Sequence, residues 1–562
     1  MTQDSRTSLQ DQHRRLSRRG FLRSAVLFGG IAVGSSLLAA CSSAAPTAPT
    51  AAPAAPTTAP AAPKPTAAAT SAAPAQAAAA ASPPTGRLVY ANPSKLRTLD
   101  TISVYGLQEF QISRQMMEPL LDLTQDGKLT PVLAESWVPS ADGKTWTFKL
   151  RKDVKFHDGT PFDAKSVAAT VARAKSATVS QHQFAFVDFE DPPVQVIDDY
   201  TVAFKSKTPT ATLPYNLVAV YMMPPTIAAD PKYDKEPFNG AIGTGPFKLT
   251  KFNVDGDTTM QANTSYWQAG LPKVSELVHR PVIEPSAMVA AVKAGEIDLA
   301  EGISVDLVST LQSDANLQLI QSHLWQIDFF MLNSTYEPLK SPQVRQAISF
   351  AIDRGTLTKD VYGAGTPIAS YPPQGLVGFN SKLPGDPYDP AKAKQLLASA
   401  GFGSGFDLEV LYPAGTYIKD KEVASFMADQ LKQVGIRAKV TAGEANATRN
   451  GYREGKYQMG MLSSIAVTGD ADRYFQERMV QDVYKTGYKD EQVTTLIKQA
   501  ASETDTAKRQ TLYEQVQDLM WQGPPVIYLY QIDWTYAAKK SVNGFNWMPN
   551  RIFTLSTAAN RA

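Results

Sequence analysis

The sequence contains a single cysteine among 562 residues, Cys41. A second thiol is missing, so we expect no intrachain disulfide and no metal site built on several thiolates. Histidine is also scarce, with five residues scattered along the chain without the spacing of metal ligands. A metal centre normally needs three or more convergent ligands, so we expect neither a metal nor another cofactor.

Neither sign of charge is in excess. Lys and Arg number 55 against 53 Asp and Glu, a net charge of +2, which gives no reason to expect a nucleic acid partner. The phosphate-binding pattern GxxxxGK[ST] is missing, and so are the GxSxG and HExxH patterns of hydrolases. We therefore expect no catalytic residues. Residues 86–562 also contain no apolar run long enough to span a bilayer.

The first 40 residues have the pattern of an export signal. Arg18 and Arg19 precede an apolar stretch, 25–40, that glycines and serines interrupt and that is too short for a permanent membrane span. The arginine pair with the following Phe-Leu resembles a twin-arginine signal, and Leu-Ala-Ala-Cys at 38–41 resembles a lipoprotein cleavage box. The alternative is a basic tail beside a core helix.

The lipoprotein resemblance implies that Cys41 is lipidated and becomes the mature N-terminus. Residues 42–85 are almost wholly Ala, Pro, Thr and Ser, a composition that buries too little apolar area to fold. We expect 41–85 to be the lipidated cysteine and a disordered tether. The folded body would then lie outside the cytoplasm, on the outer face of the cell membrane or in the periplasm.

From residue 86 onward, strand and helix patterns alternate without an internal repeat. The segment 144–151 places Trp146, Phe148 and Leu150 at every second position, which predicts a half-buried strand. Asp255-Gly256 predicts a hairpin turn. Ser341-Pro342 and Asp389-Pro390 each predict the start of a helix. The body is therefore predicted to be mixed α/β.

The stretch "VKFHDGTPFDAKSV", 154–167, places His157 beside Asp158 and close to Asp163. Asp158 with the following glycine is a turn signal, and Asp163 is a good N-cap before a helical stripe. No other histidine stands at ligand spacing. We interpret the stretch as a turn that leads into a helix, and His157 as a scaffold residue.

Residues 127–167, "GKLTPVLAESWVPSADGKTWTFKLRKDVKFHDGTPFDAKSV", resemble the signature region of the family 5 extracellular solute-binding proteins. These are the dipeptide- and oligopeptide-binding receptors of ABC importers and their relatives. The similarity covers nearly all of 86–562 and is much more specific for the family than for a ligand. It continues in family order through 243–249, 291–299, 342–354, 388–402, 431–440 and 509–530.

The resemblance implies a two-lobed, periplasmic-binding-protein-like α/β fold of type II, in the large three-domain class, with mixed sheets and two hinge crossings. Both expected hinge strands are aromatic and β-prone. Carried onto this chain, the parts are lobe I at 86–325 with an extra subdomain at about 121–240, lobe II at 335–525, a return to lobe I at 535–562, and hinge strands at 325–333 and 526–534.

The same resemblance implies a mechanism and partners. A small solute would contact both lobes only when they close, so its binding would favour the closed form. The closed monomer would then dock on the permease subunits of an ABC importer. The alternative is a secreted, lipid-anchored hydrolase whose carboxylates are paired only in space.

Two anchors of peptide-binding relatives are missing from the sequence. The acid that pairs with a peptide ammonium falls near Val467, and the tryptophan ahead of it falls near Ser464. No arginine for a peptide carboxylate stands at 414–417. Asp470 or Asp472 would be the substitute charge. An unpaired ammonium is costly in a closed cleft, so the pattern favours a non-peptide, oligosaccharide-like solute and leaves a peptide open.

We expect the ligand pocket to combine aromatic rings with hydroxyl groups, because rings stack on apolar faces while hydroxyls satisfy polar groups. Phe329 and Phe330 would form its floor if they face inward. For every aromatic candidate the alternative is ordinary core packing. The candidates are Tyr105, Tyr417, Ser464, Thr468, Trp547, Phe329 and Phe330.

Overall fold

The structure, a computed structural model, describes residues 82–104, 106–176, 178, 180–186 and 188–560. The predicted export signal with Arg18 and Arg19, the predicted lipidation site Cys41, nearly all of the tether, and Tyr105 lie outside the described residues. Among the described residues, no helix is both long enough and apolar enough to cross a membrane.

Eleven of the strands form one mixed sheet, in the order β15-β14-β16-β12-β17-β11-β1-β10-β9-β8, with β13 paired to β17. A separate four-stranded sheet has the order β4-β5-β7-β6. The strands are β1 Arg87–Asn92, β2 Leu121–Leu123, β3 Leu129–Pro131, β4 Ala134–Pro139, β5 Thr145–Leu150, β6 Phe189–Asp198, β7 Thr201–Ser206, β8 Phe247–Lys251, β9 Thr258–Ala262, β10 Glu276–Pro281, β11 Leu299–Glu301, β12 Leu317–Leu332, β13 Thr366–Pro367, β14 Asp407–Pro413, β15 Arg437–Gly443, β16 Met459–Ile465, β17 Val526–Lys539, β18 Val542–Asn543 and β19 Ala559–Asn560.

Helices cover the sheet and are longest in the second half of the chain. The α-helices are α1 Leu107–Ser113, α2 Ala164–Ser176, α3 Leu213–Asn216, α4 Pro225–Ala228, α5 Pro285–Lys293, α6 Ser309–Gln312, α7 Glu337–Lys340, α8 Pro342–Phe350, α9 Arg354–Thr356, α10 Pro390–Ser399, α11 Asp420–Gln433, α12 Ala445–Arg453, α13 Asp472–Phe475, α14 Glu491–Ser502 and α15 Thr506–Trp521. Short π-helical turns follow α9 at Leu357–Tyr362 and α13 at Gln476–Val480.

Local sequence patterns predicted several of these elements correctly. Strand β5 alternates inward and outward as expected, with Phe148 fully buried. Strands β8 and β9 pair as a hairpin on either side of Asp255 and Gly256. Helix α8 begins at Pro342 and is capped by the Ser341 hydroxyl, which accepts a hydrogen bond from the Val344 amide. It ends at Phe350.

The stretch around His157 is architectural, as predicted. The ring contacts the backbone of Gly243 and Gly245, with 3.0 Å between Nε2 and the Gly245 carbonyl oxygen. Desolvation lowers the pKa of His157 to about 4, so the imidazole is neutral at physiological pH. The Asp163 carboxylate accepts a hydrogen bond from the Ser166 amide and caps α2.

Two long strands, β12 and β17, connect the halves of the large sheet. They pair antiparallel from Leu317–Lys539 at one end to Met331–Val526 at the other, with irregular register near the middle. The predicted hinge segment 526–534 lies within β17, and the segment 325–333 lies within β12 except for Asn333. We keep the names lobe I for 86–325 with 535–562, and lobe II for 335–525.

Hydrophobic packing differs between the lobes. One cluster in lobe I joins the main sheet, the separate four-stranded sheet and the C-terminal return, for example through Leu88, Phe148 and Phe553. Lobe II has clusters on both faces of its sheet. Phe330 belongs to one and Phe329 to the other, because successive residues of a strand point to opposite faces.

Candidate functional site

The carboxyl ends of the parallel strands define where a ligand binds in an open α/β sheet. In lobe II, β14 runs parallel to β15 and β16, so the loops after these three strands share one edge. In lobe I, β1 runs parallel to β10 and β11, and their carboxyl ends share a second edge. The candidate site is the cleft between these two edges.

Direct contacts cross this cleft at three places. The Lys419 ammonium, after β14, lies 2.8 Å from the Asp306 carboxylate, after β11. The Asn550 amide donates to the Val467 carbonyl at 3.0 Å. Farther out, the Ala211 amide donates to the Ala501 carbonyl at 2.8 Å. The lobes are therefore in contact with each other, so the cleft between them is closed in this structure.

Tyr417 lies on the lobe II edge beside Ser463, which precedes Ser464 in β16. Burial raises the pKa of the Tyr417 hydroxyl, which interacts with the Arg449 guanidinium and the Ser463 backbone. Ser464 is half-buried and pairs with Ile327 in the β16–β12 ladder. The segment 414–417 has no arginine, but Arg449, from α12, brings a cation to this edge. The sequence analysis missed Arg449 because α12 is distant from the segment 414–417 along the chain and comes close to it only in the folded protein.

Thr468 belongs to a turn that lobe I covers. It is buried, and the neighbouring Val467 side chain packs in the lobe I cluster together with Trp325 and Leu123. Gly469 has a φ of +71°, which disfavours any side chain, and a Cβ there would stand only 2.7 Å from the Leu123 side chain. The surroundings of Val467, near which the resemblance implied an acid, are therefore apolar.

Asp470 does not provide the free charge that the sequence suggested as a substitute. Its carboxylate is buried and accepts two hydrogen bonds from the Arg509 guanidinium, one of them at 2.7 Å. Asp472 is half-buried, and the same Arg509 acts on its carboxylate as a nearby charge. Desolvation, and next the nearby Asp470 carboxylate, raise the pKa of Asp472 to about 6. Of the two aspartates, only Asp472 is available to a ligand.

Phe329 and Phe330 do not face the cleft, which corrects the expectation that they form its floor. Both side chains are fully buried in the clusters on the two faces of the lobe II sheet. Trp547 is half-buried against the lobe I cluster, and its carbonyl accepts a hydrogen bond from the Gln125 amide at 2.8 Å. Trp547 thus lies on the lobe I side, away from Tyr417.

A buried polar cluster lies at the carboxyl edge of lobe I, around Glu301 at the end of β11. The Glu301 carboxylate accepts hydrogen bonds from Arg551 at 2.6 Å, from Gln111 at 3.0 Å and from the Tyr90 hydroxyl. The Arg551 guanidinium also stacks 4.1 Å from the Trp534 ring centroid. Sequence reasoning missed this cluster because its members come from five separate segments of the chain.

Comparison with known proteins identifies the class. The family model for bacterial extracellular solute-binding proteins, family 5 (middle region), matches residues 128–482. The chain belongs to this family.

Among the described residues, no group of three or more His, Cys, Asp or Glu side chains is placed to hold a metal ion.

Similar curated proteins include glutathione-binding proteins named GsiB. The one from Pectobacterium atrosepticum is 30% identical over 483 residues, which cover 84% of this chain and 93% of the relative. The one from Shigella boydii serotype 4 is 32% identical and covers 84% and 94%. These relatives are solute-binding proteins, as the sequence predicted for this chain.

Solved structures share the fold. A putative peptide-binding protein, AppA from Clostridium difficile, superposes with a TM-score of 0.76 at 22% identity, covering 84% of this chain and all of that one. DppA from Helicobacter pylori, in complex with the peptide STSA, gives 0.71 at 23% identity and covers 85% and 98%. The predicted two-lobed periplasmic-binding-protein fold is thereby confirmed.

Proposed function

We propose that this chain is the solute-binding subunit of an ABC importer, and that it captures a small peptide between its lobes and passes it on unaltered. The observation that carries the proposal is the closed cleft, in which residues that follow the parallel strands of both lobes meet across one gap. A ligand in that gap contacts both lobes at once. Its binding energy therefore favours the closed arrangement.

We place a peptide, with glutathione as the first candidate, ahead of the oligosaccharide-like solute that the sequence favoured. Two features support this order. The relatives at 30% and 32% identity are named glutathione-binding proteins. Arg449 brings a guanidinium to Tyr417 at the lobe II edge, and a guanidinium binds carboxylates through paired hydrogen bonds.

Closure is the signal to the permease. Turning a population that is almost all open into one that is almost all closed takes about 5.5 kcal/mol of differential binding. The chain has no GxxxxGK[ST] loop, so we assign the energy of uptake to a separate ATPase subunit. The receptor acts as a monomer in this scheme, with its lobes as the moving parts.

We further propose that the receptor is exported and held by lipid on Cys41, with 42–85 as the tether. The support is the order of arginine pair, apolar stretch and Leu-Ala-Ala-Cys in the sequence. Radiolabelled fatty acid should be incorporated into the wild-type chain in cells, and Cys41→Ser should abolish the incorporation. Equal labelling of both chains would contradict the anchor.

Calorimetric titration of the full-length chain, purified in detergent, tests the ligand. We expect saturable binding of glutathione with no new product by mass spectrometry, and weaker or no binding of maltotriose. Tighter binding of maltotriose than of glutathione would overturn the peptide assignment in favour of an oligosaccharide. Cleavage of the bound peptide would overturn the receptor function in favour of the hydrolase.

A further inference from the structure

A cavity of about 770 Å³ lies between the extra subdomain of lobe I and the outer part of lobe II. Residues 185–216 provide one wall and residues 453–502 provide the other. The Ala211–Ala501 backbone hydrogen bond, 2.8 Å long, joins the two walls at the rim. The cavity is therefore complete only while the lobes are closed, and its volume is within the usual range for small-molecule sites, about 300–1,000 Å³.

The lobe II wall carries two cations without a counterion. Arg453, at the end of α12, and Lys498, on α14, are exposed and line the cavity. Neither forms an ion pair with another residue in the part of the chain that the structure describes. A third cation on this wall, Arg473, differs because its guanidinium donates to the Glu477 carboxylate at 2.8 Å.

Two acids line the same cavity. Asp188 lines the subdomain wall, is exposed, and forms no ion pair among the described residues. Asp472 lines the opposite wall, where Gln476 is its side-chain hydrogen-bond donor, at 3.2 Å. The cavity thus offers two positive and two negative side chains, of which Asp472 also feels the charge of the nearby Arg509.

Neutral hydrogen-bonding groups and one aromatic ring complete the lining. The Thr210 and Thr212 hydroxyls lie 3.4 Å apart on the subdomain wall, and Tyr484 stands on the lobe II wall. Solvated protein surfaces usually pair their charges or spread them. Here side chains of both signs line one cavity between the lobes.

We propose that this cavity is a binding compartment for an amino-acid-like group of the solute, which carries an ammonium and a carboxylate together. The carboxylate is bound from the lobe II wall by Arg453 and Lys498. The ammonium is bound by Asp188 and Asp472. The inference rests on the proposed function, because it assumes that the chain binds a small peptide.

This assignment explains how a peptide receptor dispenses with an acid at Val467. The ammonium and the carboxylate of the ligand are bound in this compartment, which has side chains of both signs, and not at the apolar turn 467–469. Since the two walls belong to different lobes, a ligand in the compartment also ties the lobes together. The compartment therefore contributes to selectivity and to closure at the same time.

Glutathione is a suitable probe because its γ-glutamyl end carries a free α-ammonium and α-carboxylate. Calorimetric titration of the full-length Arg453→Gln/Lys498→Gln variant should give a dissociation constant at least about tenfold weaker than wild type, since each lost charge-assisted hydrogen bond weakens binding. The matched control is Lys432→Gln on α11, an exposed lysine of the same lobe that does not line the cavity. Its affinity should equal that of wild type.

The acids are tested with glutaryl-cysteinyl-glycine, which is glutathione without its α-amino group. Wild type should bind glutathione at least about tenfold tighter than this analogue, and Asp188→Asn/Asp472→Asn should lose that preference. Unchanged affinity in the cation variant, or an unchanged preference in the acid variant, overturns the compartment while wild-type binding keeps the proposed function. Failure of wild type to bind either probe overturns the peptide function, and this inference with it.

Discussion

The two lobes bury titratable groups of opposite kinds. Lobe I contains His157, His182 and His279, and desolvation lowers the pKa of each to about 4. On the lobe II side, Asp328 of the hinge strand β12 and Asp472 have pKa values raised to about 6, again with desolvation as the main cause. In both lobes burial favours the neutral form, but the neutral form is the deprotonated one for histidine and the protonated one for aspartate.

Mild acid should therefore act on the lobes in opposite directions. Protonation of a buried histidine works against the folded state of lobe I, whereas protonation of Asp328 relieves a cost in lobe II. Glu118 is an exception within lobe I, because desolvation raises its pKa despite Arg114 nearby. The contrast between the lobes can be tested by perturbing each in turn.

The largest effect is expected from acid on the three histidines. Their pKa is about 4 in the folded chain against 6.5 ordinarily, so their contribution to stability is complete above pH 6.5 and is lost as the pH falls through 4. Each accounts for up to about 3 kcal/mol. Denaturant unfolding at pH 7 and at pH 4.5 should show the loss, chiefly in the transition that unfolds lobe I.

His279→Gln checks the assignment. The His279 ring is buried beside the Asn92 amide oxygen, 3.1 Å away, and a glutamine amide cannot be protonated in this range. The variant should lose less stability than wild type between pH 7 and pH 4.5. An identical loss in both chains would remove His279 from the explanation.

The next largest effect tests lobe II at its most buried ion pair. Arg509→Met leaves the Asp470 carboxylate buried without its guanidinium, which should cost about 3–5 kcal/mol of unfolding free energy. The matched control is Arg437→Met, because Arg437 and Asp407 form an exposed pair whose loss should cost less than about 1 kcal/mol. Equal costs in denaturant unfolding would contradict the burial argument.

The fold was predictable from sequence to the extent that its signals are local or are ordered along the chain. Period-two alternation identified β5, and a Ser-Pro start identified α8. The order of family segments over 86–562 predicted two lobes and the two long strands that join them. Such signals survive folding because each reflects which face of an element is buried.

The site was predictable only in part, because its geometry depends on contacts between distant segments. Tyr417 and Ser464 stay predictions as ligand contacts, and sequence reasoning missed Arg449 and the cluster around Glu301. Phe329 and Phe330 were misjudged for a physical reason. In a central strand covered on both faces, alternate residues enter two cores and neither is left for a ligand.

A smaller effect is expected at Asp328, in the direction opposite to that of the histidines. One carboxylate oxygen accepts from the Tyr530 hydroxyl at 3.0 Å, and the other has no hydrogen-bond partner among the described residues. The pKa of about 6 lies above the ordinary 3.8. The contribution of this carboxyl group to the stability of the fold is therefore complete below pH 3.8 and is lost as the pH rises through 6. Asp328→Asn removes that dependence.

At pH 7.5 the free energy of unfolding of Asp328→Asn should therefore exceed that of wild type by up to about 3 kcal/mol. At pH 4 the two free energies should be nearly equal. The pH dependence separates this mechanism from better packing, which would stabilise the variant equally at both values. A variant less stable than wild type at pH 7.5 would contradict the cost assigned to the buried carboxylate.

The smallest effect is expected where the lobes meet. Lys419 and Asp306 form an ion pair across the cleft, with 21% and 66% of their side chains exposed. Exposed pairs contribute less than about 1 kcal/mol, so Lys419→Gln and Asp306→Asn should each weaken ligand binding by less than about fivefold. The double variant should be no weaker than either single one, because both remove the same contact.

A small loss of ligand affinity in these variants would show that the ligand, and not the ion pair, drives the closure of the two lobes. An ion pair strong enough to close the empty receptor would present a closed form to the permease without cargo. A weak, salt-screened pair adds to closure only once the ligand has brought the lobes together. Titration at low and high salt should thus change the affinity of wild type slightly more than that of Lys419→Gln. A loss of a hundredfold or more in Lys419→Gln would show instead that the pair dominates closure.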